Sequence, residues 1–284
     1  MTTFHLPGPV VPVSWLAAHL GQPGLVVLDA TLRPAASAGA DPVSGGAVQI
    51  PGTQVFDFDK KICDTASALP HMMPTPELFE QEVRALGVCR GSVIVVYDRI
   101  GTYASPRAWW MFKAMGHGQI AVLDGGLPAW IEAGLPCQPV GGQPVAPGDF
   151  VAQPCPELFC DAEQVMAALT DEGCAVLDAR SEGRFLGREP EPRPGLRPGH
   201  MPGALNLPFG AVQAQGRMRA VEELEAIFAS KVDRQRRLIM SCGSGVTACI
   251  LALAAELAGR HEVAVYDGSW SEWGQPSSRP VVTG

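Results

Sequence analysis

Cys242 is the residue best placed to do chemistry. It follows the apolar run L-I-M-S (238–241) and opens the small-residue stretch G-S-G-V-T (243–247), after which residues 248–257 read as an apolar helix. A cysteine so placed stands at the C-terminal end of a buried strand, the end where ligands bind in open α/β sheets. Gly243 and Gly245 permit a tight turn. The backbone N–H groups of that turn, through Val246 and Thr247, converge with the helix N-terminus on whatever lies inside it. Such donors favour an anion, and so favour thiolate over thiol, the form that nucleophilic sulfur chemistry requires. The bland alternative is an inert core thiol, and that reading suits Cys249 inside the helix pattern.

A second concentration of chemistry lies at residues 180–197, where arginines fall at 180, 184, 188, 193 and 197. The chain as a whole carries a net charge of -8, which argues against nucleic acid as a partner and means that an anionic substrate needs local positive charge. Glu182, Glu189 and Glu191 dilute the arginine cluster, so a solvated mixed-charge loop stands beside an anion site as its explanation. Arg180, directly after the strand residues Leu177 and Asp178, reads as a structural ion-pair residue. Neither the eight cysteines nor the six histidines show a C-x-x-C pair or zinc-ligand spacing, so no metal and no cofactor is implied. Reduced thiols in a cytoplasmic enzyme are the expectation. The apolar stretch 238–259 is broken by Gly243, Gly245 and Glu256, and reads as strand, turn and helix rather than a membrane span.

The elements that must position these residues occur twice. V-V-L-D-A-T (26–31), V-I-V-V-Y-D (93–98) and A-V-L-D-G-G-L-P-A-W (121–130) are echoed by A-V-L-D-A-R (175–180), L-I-M-S-C (238–242) and A-V-Y-D-G-S-W-S-E-W (264–273). I-P-G (50–52) is echoed by M-P-G (201–203), with Gln49 in the first copy where the second has His200. Short β-branched runs alternating with helical patterns predict an α/β fold: two tandem domains, each a parallel sheet with helices on both faces. The Pro- and Gly-rich stretch 136–156 reads as a linker between domains at 1–135 and 157–284, with a substrate cleft between them. The Gly/Ala-rich stretch 34–47 reads as a loop. Ser14 and Thr75 read as helix starts, and Asp161 with Gln164 as a capping box. Asp98 occupies the position of Cys242, so the first domain is expected to be non-catalytic.

C-G-S-G-V-T-A resembles the active-site loop of mercaptopyruvate sulfurtransferases in the rhodanese superfamily, and the likeness extends over nearly the whole chain. Thiosulfate sulfurtransferases of that superfamily place basic residues at the second and third loop positions, here Gly243 and Ser244. The resemblance implies a Cys242 persulfide, a 2-oxo acid thiol as donor, and a thiol acceptor such as thioredoxin or a small dithiol, with cyanide as a surrogate. It assigns Arg184 and Arg193 to the donor carboxylate, which paired guanidinium N–H groups suit. It aligns Ser244, His71 and Asp59 as a proton relay, with Asp57 competing for the last place. His200, Arg188 and Arg197 are left as structural or surface residues. The alternatives are a thiosulfate sulfurtransferase, a non-enzymatic thiol sensor or carrier, and a cysteine phosphatase. The last lacks the arginine it would need, because Val246, Thr247 and Ala248 follow the loop.

Overall fold

The computed structural model describes residues 4–32, 48–141 and 144–284; the stretch 34–47 lies outside the described residues. The chain divides into two compact units. One comprises Met1–Thr65, Met73–Cys155 and Gln215–Met218; the other comprises Ala66–Met72, Pro156–Ala214 and Arg219–Gly284. Two short segments belong with the unit opposite to their place in the chain, and most of the Pro-rich stretch belongs with the first unit. Gly148 N–H donates to Arg84 O at 2.8 Å, Arg84 Nε donates to Phe150 O at 2.6 Å, and Cys155 N–H donates to Ala114 O at 2.8 Å. Composition marks such a stretch as irregular, but its packing partners are set far away in sequence.

In the first unit, strands β1 (Val10–Val11), β2 (Leu25–Asp29), β3 (Gln54–Val55), β4 (Val93–Tyr97) and β5 (Ile120–Leu123) form a parallel sheet in the order β1-β5-β4-β2-β3. In the second, β6 (Phe159–Cys160), β7 (Cys174–Asp178), β8 (Leu205–Asn206), β9 (Arg237–Ser241) and β10 (Val263–Tyr266) repeat it, in the order β6-β10-β9-β7-β8. The central strands β4 and β9 are buried along nearly their whole length, as continuous apolar runs covered on both faces must be.

Helices α1 (Val13–His19), α2 (Pro76–Ala85), α3 (Ser105–Ala114) and α4 (Gly126–Glu132) belong to the first unit. Leu16 of α1 and Trp130 of α4 pack with Val27, Val95 and Ala121 on one sheet face. Phe79 of α2 meets Phe112 of α3 edge-on, at 5.0 Å between centroids. The second unit contains α5 (Ala162–Ala168), α6 (Glu182–Phe185), α7 (Val221–Ala229), α8 (Ala248–Leu257) and α9 (Ser269–Trp273). Val165 of α5, Phe185 of α6 and Trp270 and Trp273 of α9 cover the face carrying Val176, Ile239 and Ala264.

Thr75 caps α2 by accepting from Leu78 N–H, and Asp161 with Gln164 forms the capping box of α5. The start of α1 is two residues earlier than Ser14 as a cap suggests. Pro12 stands at its N-cap without a side-chain hydrogen bond, and Ser14 lies inside the first turn. Among the described residues no helix is long and apolar enough to cross a membrane.

Candidate active site

Strand β9 ends at Ser241, and Cys242 follows with 1% of its surface exposed. All eight cysteines are free thiols. The turn between β9 and α8 is shaped by Gly245, whose φ of +73° lies in the left-handed region that a side chain disfavours. Ser244, Gly245 and Val246 are buried, and Gly243 and Thr247 partly so. Among the described residues, the backbone amides of Gly243, Ser244, Val246 and Thr247 donate to no protein acceptor. Four donors in one turn at the start of a ten-residue helix make a nest for an anion.

The opposite wall of the turn is the start of α9, and it holds the loop backbone through five hydrogen bonds. Ser269 Oγ accepts from the amides of Cys242 and Gly245, each at 3.1 Å, while it donates to Tyr266 O at 2.8 Å. The same hydroxyl lies 4.0 Å from Cys242 Sγ. Trp270 N–H donates to Cys242 O at 2.9 Å, and Ser271 reaches Gly243 O twice, from N–H at 2.8 Å and from Oγ at 2.6 Å. Ser269 is fully buried with φ +47°, a strained conformation for a residue with a side chain.

The sequence reading missed Ser269 and Ser271. A signal was present in the repeat. Gly126, also left-handed at φ +57°, occupies the Ser269 position in the first copy, and Leu127 N–H donates to Asp98 O just as Trp270 does to Cys242 O. A serine kept where the backbone asks for glycine marks a hydroxyl with a task.

In the first copy that turn is filled from within. The Asp98 carboxylate accepts from the amides of Tyr103, Ala104 and Ser105 at 2.8 to 3.0 Å, and from Ser105 Oγ at 2.9 Å. Burial pushes its pKa up, and these hydrogen bonds pull against that shift.

Arg184 and Arg193 both reach the Cys242 loop. A Cβ placed on Gly243 would lie 3.3 Å from Arg184 Nη2 and 3.9 Å from Arg193 Nη1. A side chain there would be in tight contact with Arg184 and in ordinary contact with Arg193. Arg184 Nη2 also donates to Glu191 Oε2 at 2.6 Å. Arg180 is the structural ion-pair residue expected of it. Its guanidinium grips Asp178 at 2.6 Å and Glu191 at 2.7 Å, donates to Gly199 O at 2.9 Å, and lies 4.0 Å from the Trp270 ring centre. Arg197 donates to Trp273 O and Arg279 O, both at 2.8 Å, and so ties the end of α9 to the C-terminal segment. His200 Nδ1 lies 2.8 Å from Phe185 O, with its ring stacked on that of Phe185.

The relay residues are placed less tightly. His71 is buried, has φ +62°, and belongs to the segment Ala66–Met72 grouped with the second unit. Ser244 is buried, but its hydroxyl makes no hydrogen bond with a described residue, His71 included. Asp59 is exposed and belongs to the first unit, and Asp57 accepts from the Asp59 and Lys60 amides.

A Rhodanese-like domain model matches residues 12–133 and 161–276. The chain belongs to the rhodanese family. It is 43% identical over 228 residues to the human 3-mercaptopyruvate sulfurtransferase, covering 79% of this chain and 76% of that protein. It is 39% identical over 274 residues to a thiosulfate sulfurtransferase of Cricetulus griseus, covering 93% and 91%. The crystal structure of SseA, a 3-mercaptopyruvate sulfotransferase of Escherichia coli, superposes with a TM-score of 0.82 at 35% identity, covering 93% of this rhodanese and all of SseA. The repeated sheets are thus two copies of the rhodanese domain, and only the second copy has a cysteine after its central strand.

Proposed function

We propose that this rhodanese moves sulfur from 3-mercaptopyruvate to a thiol acceptor through a persulfide on Cys242. The observation that carries the reading is the convergence at one turn of a buried cysteine, four unengaged amides and two arginines. The Cys242 thiolate attacks the donor sulfur. An S–S bond forms, the donor C–S bond breaks, and its electron pair leaves with the carbon skeleton as the enolate of pyruvate, which then takes a proton. The amides of Gly243, Ser244, Val246 and Thr247 stabilise the anionic outer sulfur. Arg184 and Arg193 hold the carboxylate and so orient the donor for attack. A thiolate acceptor then takes the outer sulfur and restores Cys242. Thioredoxin or a small dithiol fits this step, with cyanide as surrogate, in the cytoplasm and without a cofactor.

Ser244, His71 and Asp59 are proposed to pass the proton to the enolate. The burial of Ser244 and of His71 in the same unit supports this role. His71→Asn and Asp59→Asn are expected to lower kcat more than tenfold with little change in KM, in steady-state assays of pyruvate formation. Unchanged kcat in both would remove the relay.

The test of the main reading is pyruvate release from 3-mercaptopyruvate with a dithiol, run beside thiosulfate with cyanide, for the wild type and Cys242→Ser. Fast release that vanishes in the variant, with weak thiosulfate turnover, is the expected result. Turnover with thiosulfate alone would favour the activity named for the Cricetulus griseus relative. Inactivity with both donors would leave a thiol sensor or carrier.

A further inference from the structure

Glu191 lies beside the Cys242 loop and is not used by the proposed chemistry. Three guanidinium groups, of Arg180, Arg184 and Arg193, gather behind the Cys242 loop with two carboxylates, of Asp178 and Glu191. Asp178 is spent on Arg180, which is fully buried. Glu191, whose side chain is only 3% exposed, bridges Arg180 and Arg184: Oε1 accepts from Arg180 Nη1 at 2.7 Å, and Oε2 accepts from Arg184 Nη2 at 2.6 Å. The nitrogen it engages on Arg184 is the one that faces Gly243. Arg193 has no ion pair among the described residues. The remaining acid nearby, Glu189, accepts from Ser181 Oγ at 2.8 Å and pairs with none of these arginines. The donor site therefore presents two guanidinium groups in shape but the excess charge of one.

We infer that Glu191 sets donor specificity, by cancelling the charge of Arg184 while holding its guanidinium against the loop, so that the site suits a monocarboxylate rather than a dianion. A 2-oxo acid thiol carries one carboxylate charge, and a paired Arg184 beside an uncompensated Arg193 matches it. Thiosulfate carries two negative charges in a small volume and gains more from each added positive charge. A carboxylate this close to the binding nitrogen costs a dianion about twice what it costs a monoanion. Arg180 makes the device rigid, because its pairing with Glu191 and its place over Trp270 leave Glu191 little freedom to swing away. The inference rests on the proposed binding roles of Arg184 and Arg193.

Glu191→Gln keeps the size and one acceptor but removes the charge. It is expected to raise kcat/KM for thiosulfate relative to 3-mercaptopyruvate about tenfold, mainly through KM for thiosulfate, and the gain is expected to shrink as salt screens it. Glu191→Asp, which keeps the charge, is expected to retain the wild-type donor ratio even if both activities fall. A parallel loss with both donors in Glu191→Gln, or the same shift in Glu191→Asp, would reduce Glu191 to a structural role and overturn the inference. If Glu191→Gln does not fold, Arg184→Gln carries the test: it must depress thiosulfate turnover more than that of 3-mercaptopyruvate, and an equal loss overturns the inference. Arg193→Gln in the same assays reports on the underlying reading. A donor KM left unchanged there removes the binding site itself and the inference with it, whereas a raised KM with an unmoved ratio in Glu191→Gln removes the inference alone.

Discussion

Ser269 shows how much one hydroxyl can carry. Its oxygen is the acceptor for two buried amides, those of Cys242 and Gly245. Removing an acceptor from a buried donor costs about 1–3 kcal/mol. Ser269→Ala keeps the left-handed strain and loses both bonds, so it is expected to destabilise by at least 2 kcal/mol or so and to lower kcat more than tenfold as the loop loosens. Ser269→Gly also loses the bonds but relieves the strain, by about 1 kcal/mol. It is expected to be less destabilised than Ser269→Ala and equally impaired in kcat. Urea denaturation and steady-state rates on the two variants check this, and an active Ser269→Gly would show that the hydroxyl is dispensable. The position was legible only by comparison with Gly126, because D-G-S-W taken alone suggests a turn and nothing more. Glu191 was legible in charge but not in place. Sequence placed it among residues that dilute the arginines, whereas the structure shows it buried and aimed at two of them.

At the scale of elements, α3 shows how burial turns a common residue into a stability determinant. His117 closes the end of α3. Its amide donates to Phe112 O, its Nε2 lies 3.0 Å from Ser92 O at the start of β4, and its ring packs against Phe112 and Phe150. Burial lowers its pKa from 6.5, and the Ser92 carbonyl only partly opposes that. A base whose folded value is depressed takes up its proton more readily when unfolded, so its contribution is present above pH 6.5 and is lost as pH falls through the lower folded value. The unfolding free energy of the wild type is expected to decline from pH 7 to pH 5, and His117→Gln to flatten that part of the slope. Equal slopes in the two proteins would show that His117 does not titrate with unfolding. The elements themselves were largely readable. The strand runs at 93–97 and 237–241, the cap at Thr75 and the box at Asp161 all follow local rules. The start of α1 did not, because Pro12 and tertiary packing outweighed the Ser14 signal.

Across the whole molecule there are eight free thiols, and burial disfavours the thiolate at several of them. Burial pushes the Cys160 thiol up to about 12 and raises Cys63, Cys137 and Cys174 above their ordinary value. Cys249 is fully buried and donates to Gly245 O at 3.2 Å. A thiol held protonated is a poor nucleophile. Treatment with 3-mercaptopyruvate in the absence of acceptor is expected to add one sulfur atom per chain by intact-mass measurement, and none to Cys242→Ser. Two or more sulfurs in the wild type, or any in the variant, would show that another cysteine is sulfurated. In the first rhodanese domain the equivalent position is Asp98, whose side chain accepts hydrogen bonds from the amides of its own turn.

What sequence alone determined is whatever local chemistry and repetition can encode: two copies of a parallel α/β unit, the strand–turn–helix around Cys242, an aspartate in place of that cysteine in the first copy, and the arginine-rich segment 180–197. What only the tertiary structure decided is which distant residues meet. Arg184 and Arg193 reach Gly243 from far back along the chain, and Ser269 reaches back to Cys242 and Gly245. The segments Ala66–Met72 and Gln215–Met218 each join the unit that their chain position would not assign. Hydrophobic periodicity reports the face that a residue presents, not the partner it finds there. Partner choice depends on packing and on the pairing of buried charge, and those are properties of the assembled fold.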